Sequence, residues 1–201
     1  MAIASSTILI GIAGTNGSGK DTIGSLLMNN YNFMFISVSD ILRAELQRQG
    51  LSTARENARD LSANWRRQYG LGVLITKAQA MFEASQQAYN GLAIASLRNP
   101  GEVDEVHKLG GKVLWVDADP KLRYQRIQQN LHLRGATRQE NDNKSFAEFM
   151  AEELIEMNFQ QGSDQASLSM QAVKDKSDLF IDNAGNNLTE LSHKLAQVLD
   201  L

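Results

Sequence analysis

Apolar residues along the chain alternate between two spacings, one typical of buried strands and one typical of amphipathic helices. Short β-rich apolar runs predict five strands, at residues 7–13, 33–38, 92–97, 112–116 and 179–181. Helical spacing between these runs predicts helices at residues 20–29, 39–49, 55–69, 73–88, 101–109, 120–129, 146–159, 167–174 and 188–199. This alternation predicts a five-stranded parallel sheet with helices on both faces, which is a three-layer α/β/α fold.

The length of the chain and the spacing of these segments predict one domain with two additional segments. The 201 residues, of which 42% are hydrophobic, suit a single domain over residues 1–201. Residues 38–90 form a long, polar, helical stretch between the second and third strands, which we interpret as a substrate-binding insert. Residues 131–145 are charged and weakly apolar, and they predict a loop or lid.

Composition and charge exclude several classes of protein. A net charge of -3 and a pI near 5.6 disfavour a nucleic acid polymer as partner, so any anionic ligand requires a local basic cluster. The absence of cysteine excludes disulfides and thiolate metal sites and is typical of a reducing cytoplasm. No apolar stretch has the length of a membrane span. We therefore expect a cytoplasmic monomer or homodimer that does not associate with a membrane.

The strongest motif lies between the first strand and the first helix. The segment matches G-x-x-x-x-G-K and consists of Gly14, Thr15, Asn16, Gly17, Ser18, Gly19 and Lys20. Glycines allow the backbone N–H groups to surround a phosphate, and the helix N-terminus adds partial positive charge. Lys20 can reach the β- and γ-phosphates, so we expect it to bind ATP and to act in catalysis. An ordinary glycine-rich turn is the alternative, but the position between strand and helix favours a phosphate loop, residues 14–20.

The residue after this motif departs from the usual pattern. Asp21 stands where a serine or threonine usually binds the metal ion, and the hydroxyl group follows at Thr22. The Gly-Lys-Asp-Thr sequence resembles that of phage-type deoxynucleotide kinases and animal phosphomevalonate kinases, and it argues against a signalling GTPase. Asp21 would be repelled by a triphosphate unless Mg²⁺ or a basic group lies close. We therefore predict that Asp21 and Thr22 take part in binding ATP and Mg²⁺.

A resemblance to adenylate kinases begins at the second strand. Residues 35–45, Phe-Ile-Ser-Val-Ser-Asp-Ile-Leu-Arg-Ala-Glu, are similar to the adenylate kinase segment Ser-Thr-Gly-Asp-x-Leu-Arg-Ala. The resemblance implies that Arg43 holds the phosphate of the acceptor and that Asp40 is a catalytic and metal-binding group at the transferring phosphate. A carboxylate and an arginine three residues apart also share one helix face near the strand ends, where ligands of such sheets bind. A surface ion pair is the alternative.

The third strand ends in a second segment of this kind. Residues 94–98, Ile-Ala-Ser-Leu-Arg, are similar to strands of nucleotide kinases that end Asp-Gly-x-Pro-Arg, or Asp-Gly-x-Arg in archaeal relatives of dephospho-CoA kinase. The resemblance implies that Arg98 is a second ligand of the acceptor phosphate. Ala95 replaces the acidic residue of these families. Orientation of Mg²⁺ through water would then depend on another carboxylate, Asp21, Asp40 or Asp117.

The insert contains basic and aromatic residues whose roles the sequence leaves open. Its arginines are Arg55, Arg59, Arg66 and Arg67. The first three share one helix face, which is either a solvated basic face or part of acceptor recognition. Trp65 and Tyr69 have the spacing to stack on a base, although aromatic residues at this spacing are more often packing residues.

Two further resemblances lie in the last third of the chain. Residues 134–143, Arg-Gly-Ala-Thr-Arg-Gln-Glu-Asn-Asp-Asn, resemble the lid of UMP/CMP kinases. This implies that Arg134 and Arg138 are catalytic lid arginines, supported by Arg123 and Arg126, because phosphoryl transfer needs positive charge and exclusion of water. Residues 177–185 look like the end of dephospho-CoA kinases, where the loop approaches the adenine; a simple turn is the alternative.

The order of these segments resembles that of the P-loop nucleoside monophosphate kinases. The resemblance implies transfer of the γ-phosphate of ATP to a small nucleotide, first of all a nucleoside or deoxynucleoside monophosphate, with ATP and Mg²⁺ as cofactors. Two alternatives remain open. One is dephospho-CoA kinase or a relative, and the other is a nucleotide-binding regulator without turnover, which Ala95 and Asp21 suggest.

Overall fold

The computed structural model describes residues 7–85, 87–133, 142–157 and 164–201. Five strands form one parallel sheet in the order β2-β3-β1-β4-β5. The strands are β1 (Ile8–Gly14), β2 (Phe33–Ser37), β3 (Gly91–Leu97), β4 (Lys112–Asp117) and β5 (Leu179–Asp182). The helices among the described residues are α1 (Lys20–Tyr31), α2 (Val38–Arg48), α3 (Arg55–Tyr69), α4 (Val73–Glu83), α5 (Pro100–Lys108), α6 (Pro120–Gln129), α7 (Phe146–Met157), α8 (Met170–Asp175) and α9 (Leu188–Leu199).

Two apolar clusters cover the two faces of the sheet, so the predicted three-layer α/β/α fold is confirmed. On one face, Ile23 of α1 and Leu195 of α9 pack against the strands. On the other face, Leu74 of α4, Val106 of α5 and Val173 of α8 do so. Every residue of the interior strand β3 is buried, as expected for a strand with helices on both sides.

The segment between β2 and β3 folds into α2, α3 and α4. A buried ion pair joins α3 to the rest of the fold, since Arg66 Nη2 lies 2.7 Å from Glu102 Oε1 of α5. The second oxygen of Glu102 accepts the backbone N–H of Arg98 at 2.7 Å. The same carboxylate therefore ties the insert to the carboxyl end of β3. None of the helices in the described part of the chain is long and apolar enough to cross a membrane.

Candidate functional site

A cleft of about 480 Å³ lies at the carboxyl ends of the strands, between the phosphate loop and the insert. Its lining residues come from the phosphate loop, α2, α3, α6, α7, the end of β3 and the segment before α9. Most of the predicted site residues with described positions line it, namely Asn16, Gly17, Gly19, Lys20, Asp21, Thr22, Arg43 and Arg98. The sheet thus brings the predicted ATP-binding and acceptor-binding residues to one cavity.

The phosphate loop has a conformation that only glycine adopts easily. Gly14, Gly17 and Gly19 have φ angles of 144°, 79° and 99°. A Cβ atom at Gly14 would lie 2.1 Å from the carbonyl oxygen of Val116, and one at Gly19 would lie 2.4 Å from Asn183 Nδ2. Both the backbone angles and the available space therefore require glycine at these positions.

Three polar side chains of the phosphate loop have no hydrogen bond to a described group outside the loop. Thr15 Oγ1 and Ser18 Oγ are buried and have no hydrogen-bond partner within the described chain. Lys20 Nζ donates to the backbone oxygen of Thr15 at 2.7 Å, within the loop itself. Buried polar groups without partners are unfavourable. Lys20 lines the cleft, so the oxygens of a bound phosphate would accept hydrogen bonds from its ammonium group, whereas Thr15 and Ser18 do not line the cleft. The loop thus has the donors of a phosphate site.

The charge of Lys20 depends on a neighbouring anion. Burial and, to a smaller extent, the charge of Arg98 lower the pKa of Lys20 to about 8, although Asp21 opposes the shift. A bound phosphate favours the ammonium form because an opposite charge at short distance stabilises it. In the ligand-free protein, nearby negative charges therefore compensate the positive charge of Lys20 only in part, and a bound anion would stabilise it.

Arg123 supports the phosphate loop and does not face the cleft. Its Nη1 donates to the oxygen of Asn16 at 3.2 Å, and its Nε donates to the oxygen of Ala118 at 2.8 Å. Its Nη2 also donates to Glu153 Oε1 of α7 at 2.8 Å. The prediction that Arg123 assists the lid is wrong in this structure, because these bonds hold the guanidinium group buried beneath the loop.

The loop after β5 lies beside the phosphate loop. Asn183 Nδ2 donates to the oxygen of Ser18 at 2.9 Å. Arg126 lines the cleft, and its Nη2 donates to the oxygen of Asn183 at 3.0 Å. Arg126 Nη1 is buried without a hydrogen-bond partner in the residues that the structure describes. Arg126 therefore holds the loop after β5 at one end of the cleft.

The predicted metal ligands occupy different places. Thr22 and Asp21 line the cleft next to Lys20, whereas Asp40 does not line it and has a side chain that is 67% exposed and paired with Arg43. Asp117 lies 3.4 Å from Lys174 and also does not line the cleft. Mg²⁺ keeps several water ligands and often uses phosphate oxygens, so it does not need a cluster of protein carboxylates. Asp21 and Thr22 fit such a site in this conformation, and Asp40 and Asp117 do not.

The described residues contain no group of three or more His, Asp or Glu that could hold a metal ion. One reason is that β3 lacks the acidic residue that the resembling nucleotide kinases carry at this strand. Ala95 is fully buried in the apolar cluster on the α1 face. The next residue, Ser96, has a φ angle of 71° at an irregularity in the pairing of β1 and β3, and its Oγ lies 3.4 Å from Ser37 Oγ. Hydroxyl groups therefore occupy the ends of β2 and β3.

The part of the cleft around Arg98, a predicted acceptor ligand, contains several arginines and one glutamate. Arg98 Nη1 lies 2.9 Å from one carboxylate oxygen of Glu156, and Arg59 Nη2 lies 2.8 Å from the other. Burial alone would raise the pKa of Glu156, but Arg98, Arg59 and Arg55 together hold this pKa at about 2. Glu156 belongs to α7 and was not among the residues that the sequence analysis identified. It neutralises a large part of the positive charge at this end.

The pKa of Glu156 predicts a pH-dependent contribution to stability. The ordinary value is 4.5 and the folded value is about 2, so the contribution is complete above pH 4.5 and is lost as the pH falls towards 2. Its size is at most about 3 kcal/mol. We expect Glu156→Gln to be less stable than the wild type at pH 6, and we expect this difference to shrink at pH 3 in urea unfolding experiments. A difference that stays constant between pH 6 and pH 3 would contradict the assignment.

The remaining residues of the insert divide into two groups. Arg55, Arg59 and Arg66 all line the cleft, as their shared helix face predicted, but Arg66 is fully engaged with Glu102. Arg67 points elsewhere and pairs with exposed Asp164 at 2.6 Å. Trp65 packs at the edge of the core and Tyr69 is exposed; neither lines the cleft, so base stacking by either has no support in this structure. The predicted lid arginines, Arg134 and Arg138, lie outside the described residues.

Comparisons with known proteins identify a family and similar folds. A family model described as an AAA domain matches residues 13–144. A UPF0200 protein of Methanococcus maripaludis is 27% identical over 192 residues, which are 95% of each chain. Shikimate kinase from Bacteroides thetaiotaomicron superposes with a TM-score of 0.57, 14% identity and coverage of 96% of this chain and 99% of that one. A gluconokinase from Sinorhizobium meliloti does so with a TM-score of 0.52, 12% identity and coverage of 97% and 93%.

Proposed function

Since the chain belongs to this AAA domain family, we propose that it is an ATP-dependent phosphotransferase that acts on a small anionic acceptor. One observation carries the proposal: a single cleft has the phosphate loop at one end and Arg43, Arg59 and Arg98 at the other. A kinase must hold two anionic groups, the triphosphate and its acceptor, close together in one cavity from which water can be excluded. The likeness of the fold to solved kinases is consistent with this proposal.

The proposed reaction is a direct in-line transfer without a covalent intermediate. The phosphate loop holds the phosphates of ATP through its backbone N–H groups and the ammonium group of Lys20. Lys20 stabilises the charge that develops on the transferring phosphoryl group. Arg98 and Arg43 orient the anionic group of the acceptor. Mg²⁺, when bound by Thr22 and through water by Asp21, neutralises further charge on the phosphates.

The carboxylates of the cleft favour an acceptor that is itself a phosphate. A hydroxyl acceptor needs a general base within hydrogen-bond reach, whereas the oxygen of a phosphate is already ionised. In the described part of the chain, the carboxylates that line the cleft are Asp21, Asp142 and Glu156. Asp142 and Glu156 pair with arginines, and Asp21 lies at the ATP end. A nucleoside monophosphate is therefore a better candidate than dephospho-CoA.

A nucleotide-binding regulator without turnover is the second candidate. The observation that favours it is buried Ala95, at the position where the resembling kinases carry a carboxylate near the metal. A regulator of this kind would bind ATP through the same phosphate loop. It would form no phosphorylated product with any acceptor, which separates it from the kinase.

Replacing Arg98 with alanine tests the acceptor site. A hydrogen bond to a charged group contributes about 1.5–3 kcal/mol, so we expect the KM of the acceptor monophosphate to rise by about 10- to 150-fold. The KM of ATP should change much less, because Arg98 is not part of the phosphate loop. Initial rates with Mg-ATP and varied monophosphate measure both constants. Arg67→Ala, which removes an arginine outside the cleft, is the control, and an equal rise in both KM values would contradict the assignment.

A further inference from the structure

We infer that Glu156 occupies the place of the acceptor's anionic group in the ligand-free protein and makes the cleft selective for a phosphate-bearing acceptor. This inference rests on the proposed function, since it concerns the acceptor end of the same cleft. It assigns to a residue of α7 a role in selecting the substrate. Glu156 acts here as a competitor of the acceptor and not as a base.

The contacts of Glu156 are those that a bound anion would make. Its two oxygens bind guanidinium groups from two different elements, Arg59 of α3 at 2.8 Å and Arg98 after β3 at 2.9 Å. The side chain is only 12% exposed, yet it lines the cleft. An acceptor phosphate that binds Arg98 Nη1 or Arg59 Nη2 would therefore take over a contact of Glu156.

Glu156 and Lys20 line the same cleft. The negative charge of Glu156 raises the pKa of Lys20, while Arg98 lowers the same pKa. An anion that replaces Glu156 would therefore share the cleft with the ammonium group that is expected beside the β- and γ-phosphates.

The rest of α7 is held independently of Glu156. Glu153 forms a two-bond ion pair with Arg123 beneath the phosphate loop, and Glu152 lies 3.1 Å from Arg55. Phe149 of the same helix is buried. Because these contacts anchor the helix, displacement of Glu156 from Arg59 and Arg98 requires a change of its side chain and does not require release of α7.

Competition with Glu156 explains selectivity for phosphate. A tethered carboxylate has a high effective concentration, so a free carboxylate or a neutral hydroxyl group gains little by replacing it. A phosphate dianion carries more charge and a third oxygen, and it forms stronger charge-assisted hydrogen bonds to arginine. The cleft should therefore admit phosphate monoesters and reject carboxylate-bearing analogues of similar size.

Binding of inorganic phosphate and of acetate tests this role. The phosphate loop is first saturated with Mg²⁺ and a non-hydrolysable ATP analogue, and each anion is then titrated by calorimetry. In Glu156→Gln we expect phosphate to bind at least about tenfold more tightly than in the wild type, because the internal competitor has lost its charge. We also expect acetate to bind the variant and not the wild type. Glu148→Gln, on the same helix and at a carboxylate that accepts hydrogen bonds from Ser145, is the matched control and should behave as the wild type.

The possible results separate the inference from the proposed function. Unchanged or weaker phosphate binding in Glu156→Gln, with normal binding of the ATP analogue, overturns the role of Glu156 and leaves the proposed function intact. Failure of the wild type to bind the analogue overturns the proposed function before any anion is added. If Glu156→Gln does not fold, Glu156→Asp is measured in the same way. Its shorter side chain reaches the two arginines less well, so phosphate affinity equal to that of the wild type overturns the inference.

Discussion

Replacing Lys20 with alanine is expected to lower the rate of phosphoryl transfer by at least about 100- to 1000-fold. Removal of one preorganised donor at a transition-state charge has an effect of this size in other enzymes, and Lys20 contributes a full positive charge as well. Burial of the side chain and the positive charge of Arg98 both disfavour the ammonium form of Lys20. A bound phosphate would stabilise that form. The loss should appear mainly in kcat.

This effect is measured as the initial rate of ADP formation at saturating ATP and acceptor. Lys108→Ala is a suitable control, because Lys108 lies on α5 at the surface and pairs with Glu105 in the same helix. The control should retain wild-type kcat. A Lys20→Ala variant that is correctly folded and retains more than a tenth of the wild-type kcat would contradict the role of Lys20.

Replacing Arg66 with methionine is expected to destabilise the fold by about 3–5 kcal/mol. The guanidinium group of Arg66 and the carboxylate of Glu102 are both buried, and their nitrogen and oxygen atoms lie 2.7 Å apart. Methionine fills a similar volume but leaves the charge of Glu102 without its partner. Because Glu102 also accepts the N–H of Arg98, the acceptor site should be disturbed together with the core.

Thermal unfolding followed by circular dichroism measures this effect. The Tm should fall by about 6–20 °C for a domain of this size. Arg67→Ala is the control from the adjacent position, and its Tm should stay close to that of the wild type because its ion pair with Asp164 is exposed. Equal Tm values for Arg66→Met and Arg67→Ala would show that the buried pair does not join the insert to the core.

The fold could be predicted because its signals are local and repeated. A strand buried on both faces, such as β3, carries a short continuous apolar run whose length and flanking residues indicate a strand. The ends of elements were less predictable. The fourth helix ends at Glu83 and not at residue 88, and the second begins at Val38, directly after β2. Such boundaries depend on where the chain must turn to pack, which the spacing of apolar residues does not record.

The site could be predicted only in part. The phosphate loop has a local signature, and Arg43 and Arg98, which the resemblance to nucleotide kinases indicated, both line the cleft. Glu156 has no such signature, since its role depends on how α7 packs against arginines that are distant in sequence. A weak signal was present, because Glu152 and Glu156 lie four residues apart on one face of a helix that also contributes buried Phe149. The surface position of Asp40 likewise depends on where α2 begins.

Direct detection of the phosphorylated product tests the central claim most directly. The protein is incubated with Mg-ATP and, separately, with each nucleoside monophosphate, each deoxynucleoside monophosphate and dephospho-CoA, and the products are identified by mass spectrometry. We predict that at least one monophosphate is converted to its diphosphate with an equal amount of ADP, and that Lys20→Ala forms neither. Binding of ATP without a phosphorylated product from any of these acceptors would contradict the claim and favour the regulator, and phosphorylation of dephospho-CoA alone would contradict the choice of a phosphate acceptor.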